Sequence, residues 1–347
     1  MKKSILAVFV AIAMVAGVGG VVFAAQNVAN VSQKGSLLVF PKIDISEGKD
    51  TLVSISNDYY RPVAVKCIWV DADQEIADFV FEITKNQPVC FSAATGEGTV
   101  DVPPFDGPVG ELKCFAVNDN ADQQISWNHL YGTAKVIDFL DETAYEYNSW
   151  NFIARGVKRG NPVGNAGDLI LSGNRGEYDG CPSYLLFNFR SVGSSVESVG
   201  VVDFNDTDLT VALCKEDLTQ DREPTHTKLK FDIWDENEVK YTGAWVCAKC
   251  WFEDLLSNIS DKFIITSACG DFHTNCGRFR VKGIASSVCP GSEATGLVGL
   301  SAELMTIING DEGSPAAAAC TANGAGKSTN GYVLWDPQEE PPEMITR

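Results

Sequence analysis

Cysteines are the residues of this chain whose type and spacing most directly suggest chemistry. Cys247-Ala-Lys-Cys250 is followed by Cys269, His273 and Cys276, and thiolates and imidazoles in such pairs can ligate zinc. Cysteines also form disulfides when a protein is exported. The eleven candidates for disulfides are Cys67, Cys90, Cys114, Cys181, Cys214, Cys247, Cys250, Cys269, Cys276, Cys289 and Cys320.

The sequence around Cys247 favours disulfides in separate pairs over a zinc site. Its neighbours on both sides are strand formers, and no Gly or Pro separates it from Cys250. Residues three apart on one strand face opposite sides, so these two thiols could not share a metal. The spacing after Cys269 does not suit a second zinc knuckle either. No His follows Cys250, as c-type haem attachment would require.

Two disulfide pairings can be suggested from local sequence. Cys269 and Cys276 enclose Gly-Asp-Phe-His-Thr-Asn, a segment that suits a small disulfide loop. Cys67 shares a predicted strand face with apolar neighbours and is expected to bridge inward to Cys90 or Cys114 if those strands lie close enough. Because eleven is odd, at least one cysteine stays a thiol or pairs with another chain.

Two acidic segments resemble loops that could hold calcium. Asp71, Asp73 and Glu75 place oxygen atoms at alternate positions, and Asp203, Asn205 and Asp208 do so less regularly. Neither segment has the glycine and distal glutamate of an EF-hand loop. Since Asp and Asn are also common turn residues, turn formation is the favoured interpretation, and calcium is the alternative.

No residue pattern predicts catalysis or cofactor binding. His129, His226 and His273 lie outside any recognisable nucleophile or metal motif, and no two carboxylates are singled out. Gly324 to Thr329 resembles the end of a phosphate loop, but Thr321 stands where the first glycine is required. We therefore expect no catalytic site and no cofactor. Tyr145, Tyr147 and Trp150 could form a sugar-binding platform, although core packing explains most such aromatic residues.

The first twenty-five residues predict export. Lys2 and Lys3 precede an apolar run, and small residues at Ala24 and Ala25 precede a polar segment. This is the pattern of a secretory signal peptide cleaved after Ala25. The alternative is a retained membrane anchor. Cleavage would leave a protein in the periplasm, outside the cell or on its surface, where cysteines oxidise.

The charge of the chain excludes some partners. Its formal net charge is −19, and loss of the two signal lysines makes the mature chain more acidic still. Such a surface repels nucleic acids and anionic lipids. No segment after the signal is apolar over a length that would span a membrane. Partners that remain open are a second copy of the chain, another surface protein, or a glycan.

Alternation of apolar and polar residues predicts an all-β fold. Phe79, Phe81 and Ile83 share one face of a predicted strand, and the segment 228–233 alternates in the same way. This period of two is typical of half-buried antiparallel strands. Other predicted strands cover residues 37–40, 52–55, 63–70 and 112–117. Short helices are expected at 253–259 and 299–308.

A weak internal repeat suggests two tandem antiparallel β-sandwich domains of immunoglobulin-like or Greek-key type, with few short helices. Residues 35–39 recur in kind at 167–171, and 111–135 resembles 278–302. The predicted segments are a signal peptide (1–25), an N-terminal segment (26–34), a first domain (35–154), a linker rich in Gly and Asn (155–166), a longer second domain (167–335) and an acidic, Pro-rich tail (336–347). One large continuous sandwich is the alternative.

Several stretches resemble a family of uncharacterised exported bacterial proteins. They are Gly35 to Pro41, Tyr178 to Leu186, Thr207 to Cys214, Val246 to Trp251 and Leu255 to Ile259. The resemblance covers most of the mature chain and implies export and tandem β-sandwiches, but no activity.

The sequence thus predicts an exported, non-catalytic structural or surface-associated protein. Disulfides would stabilise it, and edge strands or an unpaired cysteine could let it self-assemble or bind a partner. A glycan- or calcium-binding module is the first alternative. A hydrolase whose site is not visible in sequence is the second.

Overall fold

The computed structural model describes residues 27–197, 201–214, 224–264, 274–308, 315–323 and 332–333. The predicted signal peptide, the phosphate-loop-like segment 324–329 and the acidic tail lie outside these residues. The regular secondary structure of the described residues is almost entirely antiparallel strand, as the alternation of apolar residues predicts. We call the part that contains β1 to β9 the first half and the part that contains β10 to β20 the second half.

The first half is a sandwich of two sheets. One sheet has the order β4-β3-β6-β1-β9 and the other β5-β2-β7-β8. The strands are β1 (Leu37–Asp44), β2 (Lys49–Asn57), β3 (Val63–Asp71), β4 (Ile76–Ile83), β5 (Pro88–Ser92), β6 (Val109–Val117), β7 (Leu130–Asp138), β8 (Thr143–Asn148) and β9 (Trp150–Phe152).

The second half is one large sheet with the order β19-β18-β12-β16-β15-β13-β17-β10-β20, with β11 beside β12 and β14 beside β13. The strands are β10 (Leu185–Arg190), β11 (Ser195–Glu197), β12 (Val201–Cys214), β13 (His226–Asp235), β14 (Lys240–Tyr241), β15 (Trp245–Lys249), β16 (Trp251–Leu255), β17 (Cys276–Ile284), β18 (Gly296–Ile308), β19 (Pro315–Asn323) and β20 (Tyr332–Val333). A single helical turn, α1 (Leu256–Ile259), and a 3-10 turn at Asp261–Phe263 follow β16. Within the described ranges, no helix is long and apolar enough to cross a membrane.

The large sheet folds back on itself at Cys250. This residue has a φ of 56° and lies between β15, which pairs with β13, and β16, which pairs with β12. The strand predicted to run through both cysteines of the Cys247 pair is therefore interrupted. β10 contacts β12 and β18 without hydrogen bonding to them, so the two ends of the sheet face each other across an apolar core.

β1 is the strand on which the two halves converge. All eight of its residues are buried, which means that both of its faces are covered. Leu38 and Phe40 pack in the core between the two sheets of the first half. Leu37 and Val39 belong to a second core that includes residues of the second half. The five-stranded sheet is thus a middle layer, and the two halves share one apolar core.

The predicted linker at 155–166 is packed against the first half. The Gln124 side chain donates hydrogen bonds to the backbone oxygens of Val163, Asn165 and Asp168, at 2.6 to 2.8 Å. Ile125 and Pro162 form a β-bridge. Since buried backbone groups need partners, these contacts hold the connection between the halves in one conformation.

Two sequence expectations about local structure need correction. Residues 299–308, expected as a helix, belong to β18, which pairs with β12 along its whole length. The helix expected at 253–259 is reduced to α1, because its first residues belong to β16. In both segments the hydrogen bonds to neighbouring strands override the local preference of the residues.

The described chain contains three disulfides, each with at least one cysteine on a strand. Cys67–Cys114 links β3 to β6 at directly opposed positions. Cys114 is one of the two partners that the sequence suggests for Cys67. Cys181–Cys214 links the segment before β10 to the last residue of β12. Cys247–Cys289 fastens β15 to the connection between β17 and β18. Each bridge therefore reinforces a contact between segments that are distant in sequence.

Three further cysteines are thiols. Cys90, Cys250 and Cys276 are free, so the loop expected between Cys269 and Cys276 is not closed. Cys269 lies outside the described residues, and Cys320 lies on β19.

We predict that removing the Cys181–Cys214 bridge with two alanines lowers the free energy of unfolding by about 2–4 kcal/mol, because the bridge restricts the unfolded chain. The matched control is Cys90→Ala, which removes a half-buried thiol and should cost less than about 1 kcal/mol. Denaturant titration without reductant measures both. An equal loss in the two variants, or a mapped disulfide at Cys90, would contradict the assignment.

Candidate functional site

The most unusual side chain of the interior is Lys42, which is 2% exposed. Its ammonium group contacts the carboxylate of Asp208 on β12 and lies 2.6 Å from Glu253 Oε1 on β16. Asp44 Oδ2 on its own strand is 4.0 Å away. A charge this deeply buried is tolerated only when it is paired. Lys42 therefore forms an ionic bridge from the first half to the second.

A β-bulge in β1 aims Lys42 at the second half. Opposite β6, Phe40 pairs with Leu112 and Ile43 with Gly110, so two residues of β1 face one of β6. The extra residue reverses the alternation of side chains. Ile43 accordingly packs in the same core as Phe40, and Lys42 faces the opposite side.

Tyrosine and tryptophan side chains satisfy the backbone groups that the bulge leaves unpaired. The Tyr147 hydroxyl donates to the Lys42 backbone oxygen and accepts from the Lys42 backbone N–H at 3.3 Å. Trp251 Nε1–H donates to the Pro41 oxygen at 2.7 Å. Trp251 lies on β16, two residues before Glu253. One strand of the second half thus holds both the bulge and the lysine within it.

Burial and charge shift the pKa values of this cluster. Burial lowers the pKa of Lys42, but Tyr145, Asp208 and Glu253 outweigh it and hold that pKa well above the usual range. Burial and the neighbouring Asp208 raise the pKa of Glu253 to about 7, against the opposing effect of Lys42. The pKa of Asp44 is lowered, since hydrogen bonds from Ser46 and the charges of Lys42 and Lys49 exceed the effect of burial.

A cavity of about 530 Å³ opens beside this cluster. Trp251 and Tyr145 contribute aromatic surface to its lining, which also includes Lys42, Asp208 and Glu253. The Tyr145 hydroxyl and Glu253 Oε2 have no hydrogen-bond partner among the described residues. Of the sugar platform suggested by sequence, Tyr147 and Trp150 are almost fully buried, and Trp150 Nε1–H donates to the Gly299 oxygen at 3.0 Å. Those two aromatic residues pack the interior.

The first group of calcium candidates, Asp71, Asp73 and Glu75, lies in a tight turn between β3 and β4. Asp71 Oδ1 accepts hydrogen bonds from the backbone N–H groups of Asp73 and Glu75, at 2.9 and 2.8 Å. Gln74 between them has a φ of 73°. Asp71 thus acts as the usual Asx residue of a turn.

The second calcium segment is a strand. Asp203, Asn205 and Asp208 all lie on β12, which bulges between Phe204 and Asp206. Asn205 Nδ2 donates to Thr306 Oγ1 at 2.9 Å, and Asp208 pairs with Lys42. The Asp and Asn residues of this segment suggested a loop, but its hydrogen bonds to β18 make it part of a strand. In the part of the chain that the structure describes, no three His, Cys, Asp or Glu side chains are grouped to hold a metal.

The zinc candidates are separated in the structure. Cys247 is in a disulfide with Cys289, whereas the Cys250 thiol is buried and accepts a hydrogen bond from the Thr225 N–H at 3.1 Å. Burial raises the pKa of Cys250. Burial and the nearby Glu236 raise the pKa of Cys276. His273 and Cys269 lie outside the described residues.

Sequence reasoning missed a group of aromatic and basic side chains at one end of the first half. We call it the aromatic platform: Lys34, Asp58, Tyr59, Tyr60, Arg61, His129 and Arg159. The Tyr59 ring lies 4.3 Å from that of Tyr60 and 4.7 Å from that of His129. The Arg159 guanidinium is 3.6 Å from the Tyr59 ring centre. The consecutive Asp-Tyr-Tyr-Arg is the only sequence signal, because the other residues come from distant segments.

Comparisons with known proteins give little further information. No family model and no curated protein matches the chain. Among solved structures, the crystal structure of the CupB6 tip adhesin from Pseudomonas aeruginosa is 9% identical, over 87% of this chain and 95% of that chain. The TM-score is 0.12, too low to indicate a shared fold.

We predict that Lys42→Met lowers the free energy of unfolding by about 3–5 kcal/mol, because the half-buried carboxylates of Asp208 and Glu253 lose their counter-ion. Lys49→Met is the matched control. Lys49 lies 3.1 Å from Asp44 but is partly exposed, so its loss should cost at most about 1 kcal/mol. Adding Asp208→Asn and Glu253→Gln to Lys42→Met should recover much of the loss. Denaturant unfolding measures each variant, and no recovery would contradict the charge-based explanation.

We also predict a pH effect that belongs to Glu253. Folding raises its pKa from the ordinary 4.5 to about 7, so between these pH values the folded chain keeps a proton that the unfolded chain loses. This contribution to stability falls as pH rises through that window. The stability of Glu253→Gln relative to wild type should therefore rise by roughly 1–3 kcal/mol from pH 4.5 to 7.

The control for this measurement is Glu146→Gln, at a half-exposed side chain on β8. Its stability relative to wild type should stay constant over the same pH range. A parallel response of the two variants in pH-dependent denaturant unfolding would show that Glu253 does not titrate in this window.

Proposed function

We propose that this chain is an exported, non-catalytic protein that acts through its surface as a structural or surface-associated component. The observation that carries the proposal is the set of three disulfides in an all-β chain. Disulfides persist mainly in oxidising compartments outside the cytoplasm. The apolar run and the small residues before Gln26 supply the matching export signal.

The arrangement of the buried charges supports a non-catalytic role. Asp208 and Glu253 are the carboxylates that come closest to an acid–base pair, since they lie together beside a cavity and the pKa of Glu253 is raised to about 7. Both, however, contact the Lys42 ammonium. A carboxylate that balances a buried lysine is needed in its charged or hydrogen-bonded form for stability. The pair therefore joins the halves, and the hydrolase alternative receives no support from it.

The edge strand β4 of the first half affects which partners could pair with this sheet. β4 is hydrogen-bonded only to β3 in the described sheet, so its outer edge presents free backbone groups. Glu82 and Asp78 lie on this strand, and Asp78 pairs with Lys66. Acidic side chains on an edge strand hinder pairing with an identical strand. This arrangement favours binding of a different partner over polymerisation through β4.

We predict that expression of the full chain in a bacterium yields a product that begins at Gln26 in a non-cytoplasmic fraction. Mass spectrometry of that product should show the three disulfides. The matched control lacks residues 2–25, and we expect it in the cytoplasm with reduced cysteines and a lower melting temperature, since the bridges are absent.

A cytoplasmic full-length product that still carries Lys2 and Lys3 would contradict export. Reduced Cys67, Cys181 or Cys247 in the non-cytoplasmic fraction would contradict the disulfide framework independently of location.

A further inference from the structure

The aromatic platform is built by four separate segments at one end of the sandwich, of which the first contributes Lys34, just before β1. Asp58 to Arg61 connect β2 to β3, His129 directly precedes β7, and Arg159 belongs to the segment after β9. Loops on a rigid sandwich are common positions for binding residues, because the sheets fix their relative places. The convergence of distant segments on two adjacent tyrosines is the first indication of a binding surface.

Buried groups hold the platform in place from below. Asn57, which is fully buried, donates to the Arg61 backbone oxygen at 2.8 Å. Its Oδ1 accepts from the Tyr59 N–H at 3.0 Å and from Trp127 Nε1–H at 2.9 Å. The Trp127 ring also packs edge-on against Tyr59, with ring centres 5.3 Å apart. A ligand would therefore meet a pre-organised surface, which lowers the entropic cost of binding.

The local charge is opposite to that of the whole chain. Lys34, Arg61 and Arg159 supply three positive charges, whereas Asp58 is the carboxylate within the platform. Asp58 is already engaged, because it pairs with Lys34 and accepts from His129 at 2.8 Å. Burial raises its pKa, but the hydrogen bonds from Lys34 and His129 outweigh that effect and lower it. On a chain of net charge −19, this basic area is suited to an anionic group.

The aromatic surface that remains free belongs mainly to Tyr60. Its side chain is 57% exposed, and the Arg61 guanidinium lies 5.4 Å from its ring centre. Arg159 is stacked on Tyr59 instead, which fixes its guanidinium close by. An exposed aromatic face beside two oriented guanidinium groups can contact a ring-shaped ligand that also carries a carboxylate.

The strands beneath the platform argue against an extended peptide. β2 is paired with both β5 and β7, and β3 with both β4 and β6. Neither strand that enters the 58–61 loop thus offers a free edge, and extended peptides commonly bind by adding a strand to such an edge. A flat ligand that stacks on a ring fits this surface better.

We propose that the aromatic platform binds an acidic saccharide of the uronate class. The Tyr60 ring stacks on the C–H face of a sugar ring, and Arg61 and Arg159 pair with the sugar carboxylate. This function goes beyond the one proposed above and does not depend on export, because it rests on the geometry of the platform alone.

Titration calorimetry with galacturonate and mannuronate oligomers tests this proposal on the disulfide-bonded protein. At least one oligomer should bind, and a neutral galactose oligomer of equal length should bind at least about tenfold more weakly. Tyr60→Ala and Arg61→Ala should each weaken binding by about tenfold or more. Added salt should weaken binding of the uronate, since its charge contributes.

Trp245→Ala is the matched control, because Trp245 is an exposed aromatic residue in the second half with Lys228 4.4 Å from its ring centre. This variant should bind like wild type, and the melting temperature of each variant should confirm folding. Absence of binding to both uronate oligomers at millimolar concentration would overturn the proposal. So would equal binding by Tyr60→Ala and wild type, tighter binding of a glutamate peptide, or a dimer that Tyr60→Ala abolishes.

Discussion

The ionic bridge from Lys42 to Asp208 and Glu253 is the interaction on which the arrangement of the two halves depends. Apolar contact alone would let the layers slide, because hydrophobic burial has no direction. A buried ammonium has a few acceptable positions, since each misplacement leaves a charge without a partner. The cost of burying it makes the bridge weak evidence for extra stability. The main consequence of the bridge is geometric: one relative placement of β1, β12 and β16 is strongly preferred.

The bulge in β1 is what makes that bridge compatible with a continuous sheet. In a regular strand, residue 42 would face the same side as Phe40, towards an apolar core where no counter-ion lies. One extra residue opposite β6 reverses the alternation, so the lysine and Asp44 turn towards the second half. The bulge leaves backbone groups of Pro41 and Lys42 unpaired, and Tyr147 and Trp251 satisfy them. Bulge, tyrosine, tryptophan and charge cluster thus form one interdependent unit.

The sequence predicts those parts of the fold that depend on neighbours along the chain. Alternating residues located β4 and β13, and the shared face of Cys67 left Cys90 and Cys114 as its possible partners, of which the structure has Cys114. Polar residues gave a wrong prediction of secondary structure where hydrogen bonding to a distant strand decides it. Asp203 to Asp208 has the composition of a loop, but thirteen residues of β18 pair with β12 and make it a strand. Lys42 gave no signal, because its partners are more than 160 residues away, and the aromatic platform was missed for the same reason.

The ionic bridge of Lys42 limits which parts of this chain can rearrange around a ligand. The carboxylates next to the cavity between the halves are engaged by Lys42, and reorganising them would expose a buried charge. The loops at the end of the first half carry no such constraint: Tyr60 and Arg61 project from a turn whose backbone is already fixed by Asn57. A ligand there gains contacts without disturbing the core. The pre-organised, oppositely charged surface at this end of the sandwich is thus the structural basis of the ligand recognition that we propose.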